Sequence, residues 1–153
     1  MKTIKRALII VLGIVLVGGF AHADDRIVDY SELPVKSRSF LEKYFGRVPS
    51  VREVERDYDG YEVELRNGYD VKFNADGVLV EIDSPHRRNV LQRIVNDVLP
   101  AKAITYLVEN DMIDKVDDIK LYQNGEYVVK INRALNDFKI KFDREGNVLK
   151  RMK

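Results

Sequence analysis

The stretch Asp57–Gly77, "DYDGYEVELRNGYDVKFNADG", alternates apolar and charged residues around two glycine turns. Tyr61, Val63 and Leu65, then Tyr69, Val71 and Phe73, occupy every second position, the period of strands with one buried face. For both sets to share a face, Leu65 must oppose Tyr69 across the three-residue loop Arg66-Asn67-Gly68. Gly68 then takes the left-handed position of a bulged turn. The next loop, Asn74 to Gly77, pairs Phe73 with Val78 and starts a third apolar set, Val78, Val80 and Ile82. A slip of one residue would turn an apolar set to solvent, so the pattern specifies register as well as strands.

Much of this stretch returns at Gly125–Gly146, "GEYVVKINRALNDFKIKFDREG". Tyr61, Val63 and Leu65 meet Tyr127, Val129 and Ile131 at an offset of 66, as Leu33-Pro34 meets Leu99-Pro100 and Phe40-Leu41 meets Tyr106-Leu107. After a longer second turn, Val71-Lys72-Phe73 meets Ile140-Lys141-Phe142 at 69, and Gly77 meets Gly146. The chain is two copies of one unit.

Each unit opens with a helical pattern. Phe40, Leu41, Tyr44 and Phe45 form one apolar stripe after Pro34 and before Gly46 and Pro49. Ala103, Ile104, Leu107 and Val108 repeat it. Val90, Leu91, Ile94, Val95 and Val98 predict a further helix between the copies, after Ser84-Pro85. With weaker first strands around Val54 and Ile119, the reading is α+β: two tandem units, each a helix on one face of an antiparallel four-stranded meander. The predicted divisions are a signal segment at 1–23, a first repeat at 24–84, a linker helix at 85–98 and a second repeat at 99–153.

The run "LP…SFLEKYF" followed by "DYDGYEVELRNGYDVKFNADGVLVEID" resembles the PepSY-like domains related to the beta-lactamase inhibitor protein. These are exported bacterial domains, often in tandem. The resemblance covers almost the whole chain after residue 23, although "NRALND" replaces the tight NG turn in the second copy. It implies a small helix-plus-sheet fold without catalysis, and inhibition or regulation of an envelope or secreted enzyme as its work.

The N-terminus sets the compartment. Lys2, Lys5 and Arg6 precede the uncharged run Ala7–Phe20, and Ala21-His22-Ala23 has the small-x-small pattern of a signal cleavage site. Cleavage is expected after Ala23 and the protein is expected to be periplasmic or secreted. An uncleaved anchor is the alternative, but the apolar run is short of the roughly 20 residues a membrane span needs. Beyond residue 23 the basic residues fall to 26 − 3 = 23 against 25 acidic, a formal charge of −2. That balance argues against nucleic acid as partner, and an exported chain without cysteine must hold its core by packing alone.

The face turned away from the helix carries the candidate functional residues. The predicted register puts Glu64 beside Asp70 and Asp70 beside Glu81, a row of carboxylates. In the second copy it puts Lys130 beside Lys139 and Lys139 beside Lys150, so one copy is acidic where the other is basic. Glu62, Lys72 and Lys141 share that face. Like charges directly opposite on a sheet repel by some tenths of a kcal/mol, so tolerated rows suggest docking surfaces, for each other in a homodimer or for a charged envelope or secreted protein. The alternative is that these side chains merely splay into screening solvent. Tyr58 and Tyr122, near hairpin turns, are contact candidates because interfaces favour tyrosine; packing at strand ends would explain them equally.

Catalytic signatures do not assemble. His86 is the one histidine after residue 23, no serine lies in a GxSxG setting, and no glycine-rich phosphate loop occurs. Asp57-Tyr58-Asp59-Gly60 and Asn74-Ala75-Asp76-Gly77 resemble calcium-loop fragments but lack the closing glutamate, and turn chemistry explains both. His86-Arg87-Arg88 reads as a solvated helix start. No enzyme activity, cofactor or metal is expected. The function expected is non-catalytic binding through the sheet faces. The alternative is a small ligand or divalent cation held by the acidic row or by a groove between the copies.

Overall fold

The computed structural model describes residues 26–86, 88–133 and 136–153. The signal segment over 1–23 with its cleavage after Ala23, Arg87 of the basic cluster, and residues 134–135 of the long second turn lie outside them.

Nine strands form one antiparallel sheet in sequential order: β1 (Arg26–Ile27), β2 (Val51–Arg56), β3 (Gly60–Leu65), β4 (Asp70–Asn74), β5 (Leu79–Asp83), β6 (Val116–Leu121), β7 (Tyr127–Ile131), β8 (Phe138–Phe142) and β9 (Val148–Met152). Three helices, α1 (Val35–Phe45), α2 (Gln92–Val98) and α3 (Ala101–Glu109), join them. β2 to β5 with α1 make the first unit, and β6 to β9 with α3 the second. The two meanders are joined edge to edge, because β5 pairs with β6 through Glu81–Lys120, Ile82–Ile119 and Asp83–Asp118.

Local chemistry explains the elements. α1 and α3 both start after a proline, Pro34 and Pro100, and α1 stops at Gly46, whose φ is +100°. Gly68 adopts the expected left-handed conformation (φ +90°), and Leu65 and Tyr69 close the loop as predicted. Gly77 and Gly146 bring the β4–β5 and β8–β9 turns against the helix starts: a Cβ would lie 2.6 Å from the Pro34 side chain at the first and 2.6 Å from the Ala103 nitrogen at the second.

The core lies between sheet and helices. Val54, Val63, Leu65, Val71, Phe73 and Ile82 point into it from the first unit, and Ile119, Val129, Ile131, Ile140 and Phe142 from the second, all 2% exposed or less. Leu41 and Leu107 meet them from the helices. Phe40 packs edge-on against Phe73 at 5.7 Å, and Tyr106 against Phe142 at 5.8 Å. Tyr61, Tyr69, Tyr127 and Phe138 lie on this side as expected.

Three expectations need correction. The linker helix begins at Gln92 rather than after Pro85, because Ser84, Asn89 and Val90 fasten the seam instead. Ser84 N–H donates to the Asp117 carbonyl (3.0 Å), Val90 N–H to the Val116 carbonyl (2.7 Å), and Tyr69 Oη to the Asn89 carbonyl (2.9 Å). Val108 is 53% exposed, since the buried stripe of α3 narrows to Ala103 and Leu107. The third concerns the β4–β5 turn. Asn74 Oδ1 accepts from the Asp76 and Val78 N–H groups, drawing Val78 into the turn. Phe73 therefore pairs with Leu79, Val80 bulges, and Leu79 with Ile82 faces the core while Val78 is exposed. Asp143 does the same to Asn147, so Phe142 pairs with Val148 rather than Asn147.

Candidate functional site: the open sheet face

The three helices pack on one side, and among the described residues the other side of the sheet is open. Alternation puts Glu53 and Glu55 of β2, Glu62 and Glu64 of β3, Asp70 and Lys72 of β4, and Glu81 and Asp83 of β5 on this side. Asp118 and Lys120 of β6, Val128 and Lys130 of β7, Lys139 and Lys141 of β8, and Lys150 and Met152 of β9 continue it.

The bulges rearrange the predicted rows. Glu64 does face Asp70, but the next residue in line is Asp83, because the extra residue in β5 moves Glu81 opposite Lys72. Lys130 does face Lys139, but Met152 follows it, and Lys150 lies opposite Lys141. Joining the meanders also makes the rows longer than either unit. One runs Glu53, Glu64, Asp70, Asp83, Asp118, Lys130, Lys139 across seven strands. The other runs Glu55, Glu62, Lys72, Glu81, Lys120, Val128, Lys141, Lys150 across eight. The open face is thus acidic over β2–β5 and predominantly basic over β6–β9.

Ion pairs on this face repeat with exchanged sign. Arg52, the bulge residue of β2, pairs with Glu64 at 2.6 Å; Asp117, the bulge residue of β6, pairs with Lys130 at 2.5 Å. Lys72 pairs with Glu62 (3.1 Å), Lys120 with Glu81 (3.2 Å) and Lys141 with Glu126 (2.7 Å). Val128, flanked in register by Lys120 and Lys141, is only 8% exposed.

The acids crowd toward the seam. Partial burial, then Glu64, Glu62 and Asp83, raise the Asp70 carboxyl above its ordinary range, while Lys72 opposes the shift. Burial and Asp117 raise Asp83, with Lys130 opposing. Asp118 is pushed up to about 6, by burial first and by Glu81 and Asp83 next. Its Oδ1 is buried with no hydrogen-bond partner among the described residues. The Asp117 carboxylate holds Lys130 charged, raising its pKa against the effect of burial. These groups carry unfavourable like-charge energy that an added opposite charge would relieve.

Glu53, Glu55, Glu62, Glu64 and Asp70 also line a shallow hollow of about 280 Å³. Among the described residues no three acidic, histidine or cysteine side chains gather closely enough to hold a metal ion. Tyr58 and Tyr122 stand at the β2–β3 and β6–β7 turns, 83% and 44% exposed, away from the rows. Sequence reasoning missed Glu53, Glu55, Asp83, Asp117 and Asp118. The alternation of β2 and β6 offered the signal for the first two and the last; the β5–β6 pairing that aligns them left none.

The profile of a family described as "Putative beta-lactamase-inhibitor-like, PepSY-like" matches residues 23–81 and again 88–150. The chain belongs to this PepSY-like family. Among solved structures it is similar to a Bacteroides thetaiotaomicron protein described as a putative calcium-regulated periplasmic protein, with 26% identity and a TM-score of 0.70 over 85% of this chain and 98% of that one. It is also similar to a putative periplasmic protein of unknown function from Bacteroides vulgatus, with 24% identity and a TM-score of 0.69 over 84% of this chain and 99% of that one. No curated protein matches the sequence. Both neighbours are described as putative periplasmic proteins, and no helix among the described residues is long and apolar enough to cross a membrane.

Proposed function

We propose that this PepSY-like chain is an exported, non-catalytic binding module that docks another macromolecule on its open sheet face, as inhibitor or regulator of an envelope or secreted enzyme. The observation that carries the reading is the face that the described residues leave uncovered, mostly acidic over β2–β5 and mostly basic over β6–β9. Its carboxylates Asp70, Asp83 and Asp118 are held above their ordinary range by burial first and by neighbouring carboxylates next, so a complementary surface gains more there than on a mixed surface. The family's relation to a beta-lactamase inhibitor supports an inhibitory role without naming the target, because partner choice lies in outer side chains rather than in the fold. Photo-cross-linking in the cell envelope tests it, from position 70 on the face and from Lys36, exposed on α1. Adducts from position 70 alone are expected; equal labelling from both positions, or none from the face, contradicts the reading.

A second reading is that the acidic hollow takes a divalent cation. It is favoured by the five carboxylates around that hollow and by the description of the Bacteroides thetaiotaomicron relative as calcium-regulated. Calorimetric titration with calcium separates the two: heat together with a raised melting temperature supports cation binding, and a flat trace removes it.

A further inference from the structure

We infer that the open face docks a second copy of this chain, related to the first by a twofold axis parallel to the strands between β5 and β6. The inference rests on the docking reading above and names its occupant. A half-turn about that axis keeps each residue's position along the strands and reverses the strand order. It lays β4 of one copy over β7 of the other, β3 over β8 and β2 over β9. Asp70 then meets Lys130, Glu64 meets Lys139 and Glu62 meets Lys141, each from the same row of the register.

The choice of axis follows from the charges. The other twofold that brings this face onto itself lies across the strands, lays β3 over β3 and β8 over β8, and sets acid on acid and lysine on lysine. One arrangement attracts and the other repels, because the sign changes from one repeat to the next. A purely basic or purely acidic partner would satisfy half of the face, whereas a second copy satisfies both halves at once. Near the axis, Glu81 comes over Lys120 of the second copy. Asp83 and Asp118 of both copies also gather there, a local cost that the flanking pairs outnumber.

Size and shape agree. Nine strands about 4.8 Å apart and about five residues long give a face on the order of 700 Å². Two such faces bury on the order of 1,400 Å², within the range of specific complexes. Both carry the same twist, and aligned sheets pack within about 30° of each other. The formal charge of −2 beyond residue 23, from 26 − 3 = 23 basic and 25 acidic residues, opposes self-association only weakly.

Sedimentation equilibrium of the purified protein tests the inference. Wild type is expected to show twice the chain mass at low ionic strength, with association at least tenfold weaker in about 0.5 M salt. Two variants decide the geometry: Glu55→Lys with Glu64→Lys, and Lys139→Glu with Lys150→Glu, since the half-turn lays Glu55 over Lys150 as it lays Glu64 over Lys139. Each puts an opposite charge beside like neighbours, Glu53, Glu62 and Asp70 in the first and Lys130 and Lys141 in the second, so folding is preserved, as circular dichroism melting checks. Alone, each variant is expected to be monomeric where wild type is dimeric; mixed, they are expected to associate, because the intact halves pair as in wild type and the altered halves set Glu55→Lys over Lys150→Glu and Glu64→Lys over Lys139→Glu.

A wild type that stays monomeric at about millimolar protein and low salt overturns the inference. So do variants that stay dimeric, or a mixture that does not associate. If a reversal lowers the melting temperature by several degrees, the neutral Asp70→Asn and Lys139→Gln variants decide instead: a dimer at least tenfold weaker supports the inference and an unchanged one overturns it. A monomeric wild type that still forms cross-links from position 70 ends the dimer and leaves docking to another macromolecule standing; loss of both ends both.

Discussion

In the first repeat Phe40 meets Phe73 edge-on at 5.7 Å, and in the second Tyr106 meets Phe142 at 5.8 Å with nearly the same tilt. Pro34 and Pro100 start the two helices, and Asn74 and Asp143 tie equivalent turns with the same pair of backbone bonds. On the other side of the sheet the likeness ends. Arg52–Glu64 becomes Asp117–Lys130, and Glu64–Asp70 becomes Lys130–Lys139. The buried sides of the repeats solve one packing problem, so they resemble each other. The open sides are free of that constraint, and there the repeats carry opposite charges.

The largest expected effect tests the likeness inside. Phe73→Ala and Phe142→Ala should each cost about 3–5 kcal/mol, the usual loss for a buried aromatic side chain. Each should lower one shared calorimetric transition, because β5 and β6 make the repeats a single sheet. Two separate transitions, one moved by each variant, would break the comparison into independent domains.

The inverted ion pairs give the next effect. Side-chain exposure is 65% and 37% for Arg52 and Glu64 but 32% and 12% for Lys130 and Asp117, and Asp117 also accepts from Ser84 Oγ at 3.1 Å. Asp117→Ala should therefore cost about 1–3 kcal/mol by leaving the half-buried Lys130 ammonium without its carboxylate. Arg52→Ala should cost about 0.5 kcal/mol or less, as an exposed pair does. Urea unfolding of both variants checks the order.

Asp118 sharpens the contrast with pH. Its folded-state pKa of about 6 lies above the ordinary 3.8, so the fold holds that proton more tightly than the unfolded chain does. Stability from this group is present below about pH 4 and is lost as pH rises through about 6. Asp118→Asn should accordingly melt like wild type at about pH 4 and be more stable at pH 7, by about 1 kcal/mol after allowing for solvent that reaches the group. Melting curves at the two pH values decide it; an advantage independent of pH would place the cause elsewhere.

Much of this fold was legible because the determining signals are local. Period-2 alternation with Asn67-Gly68 specified the β3–β4 register correctly, and the helix starts could be read from Pro34 and Pro100. The misread register at β5 and β9 came from treating Val78 and Asn147 as strand residues. The Asn74 and Asp143 side chains draw them into the turns, and period-2 counting does not see a bulge. The pairing of β5 with β6 was illegible for a different reason. It depends on the segment after β5, where Ser84, Asn89 and Val90 bond to partners 20 or more residues away. Aspartates 83, 117 and 118 become neighbours only through that closure. The exchange of charge sign between repeats, in contrast, was visible from self-comparison alone.

The smallest expected effect bears most directly on whether the open face serves docking rather than folding: the melting temperature of Asp70→Lys beside wild type, at a protein concentration low enough that both are monomeric. Asp70 lies between Glu64 and Asp83, so a lysine there should leave the melting temperature unchanged or raise it slightly, by tenths of a kcal/mol. A fall of several degrees would mean that the carboxylate row holds the sheet together, and would contradict the account.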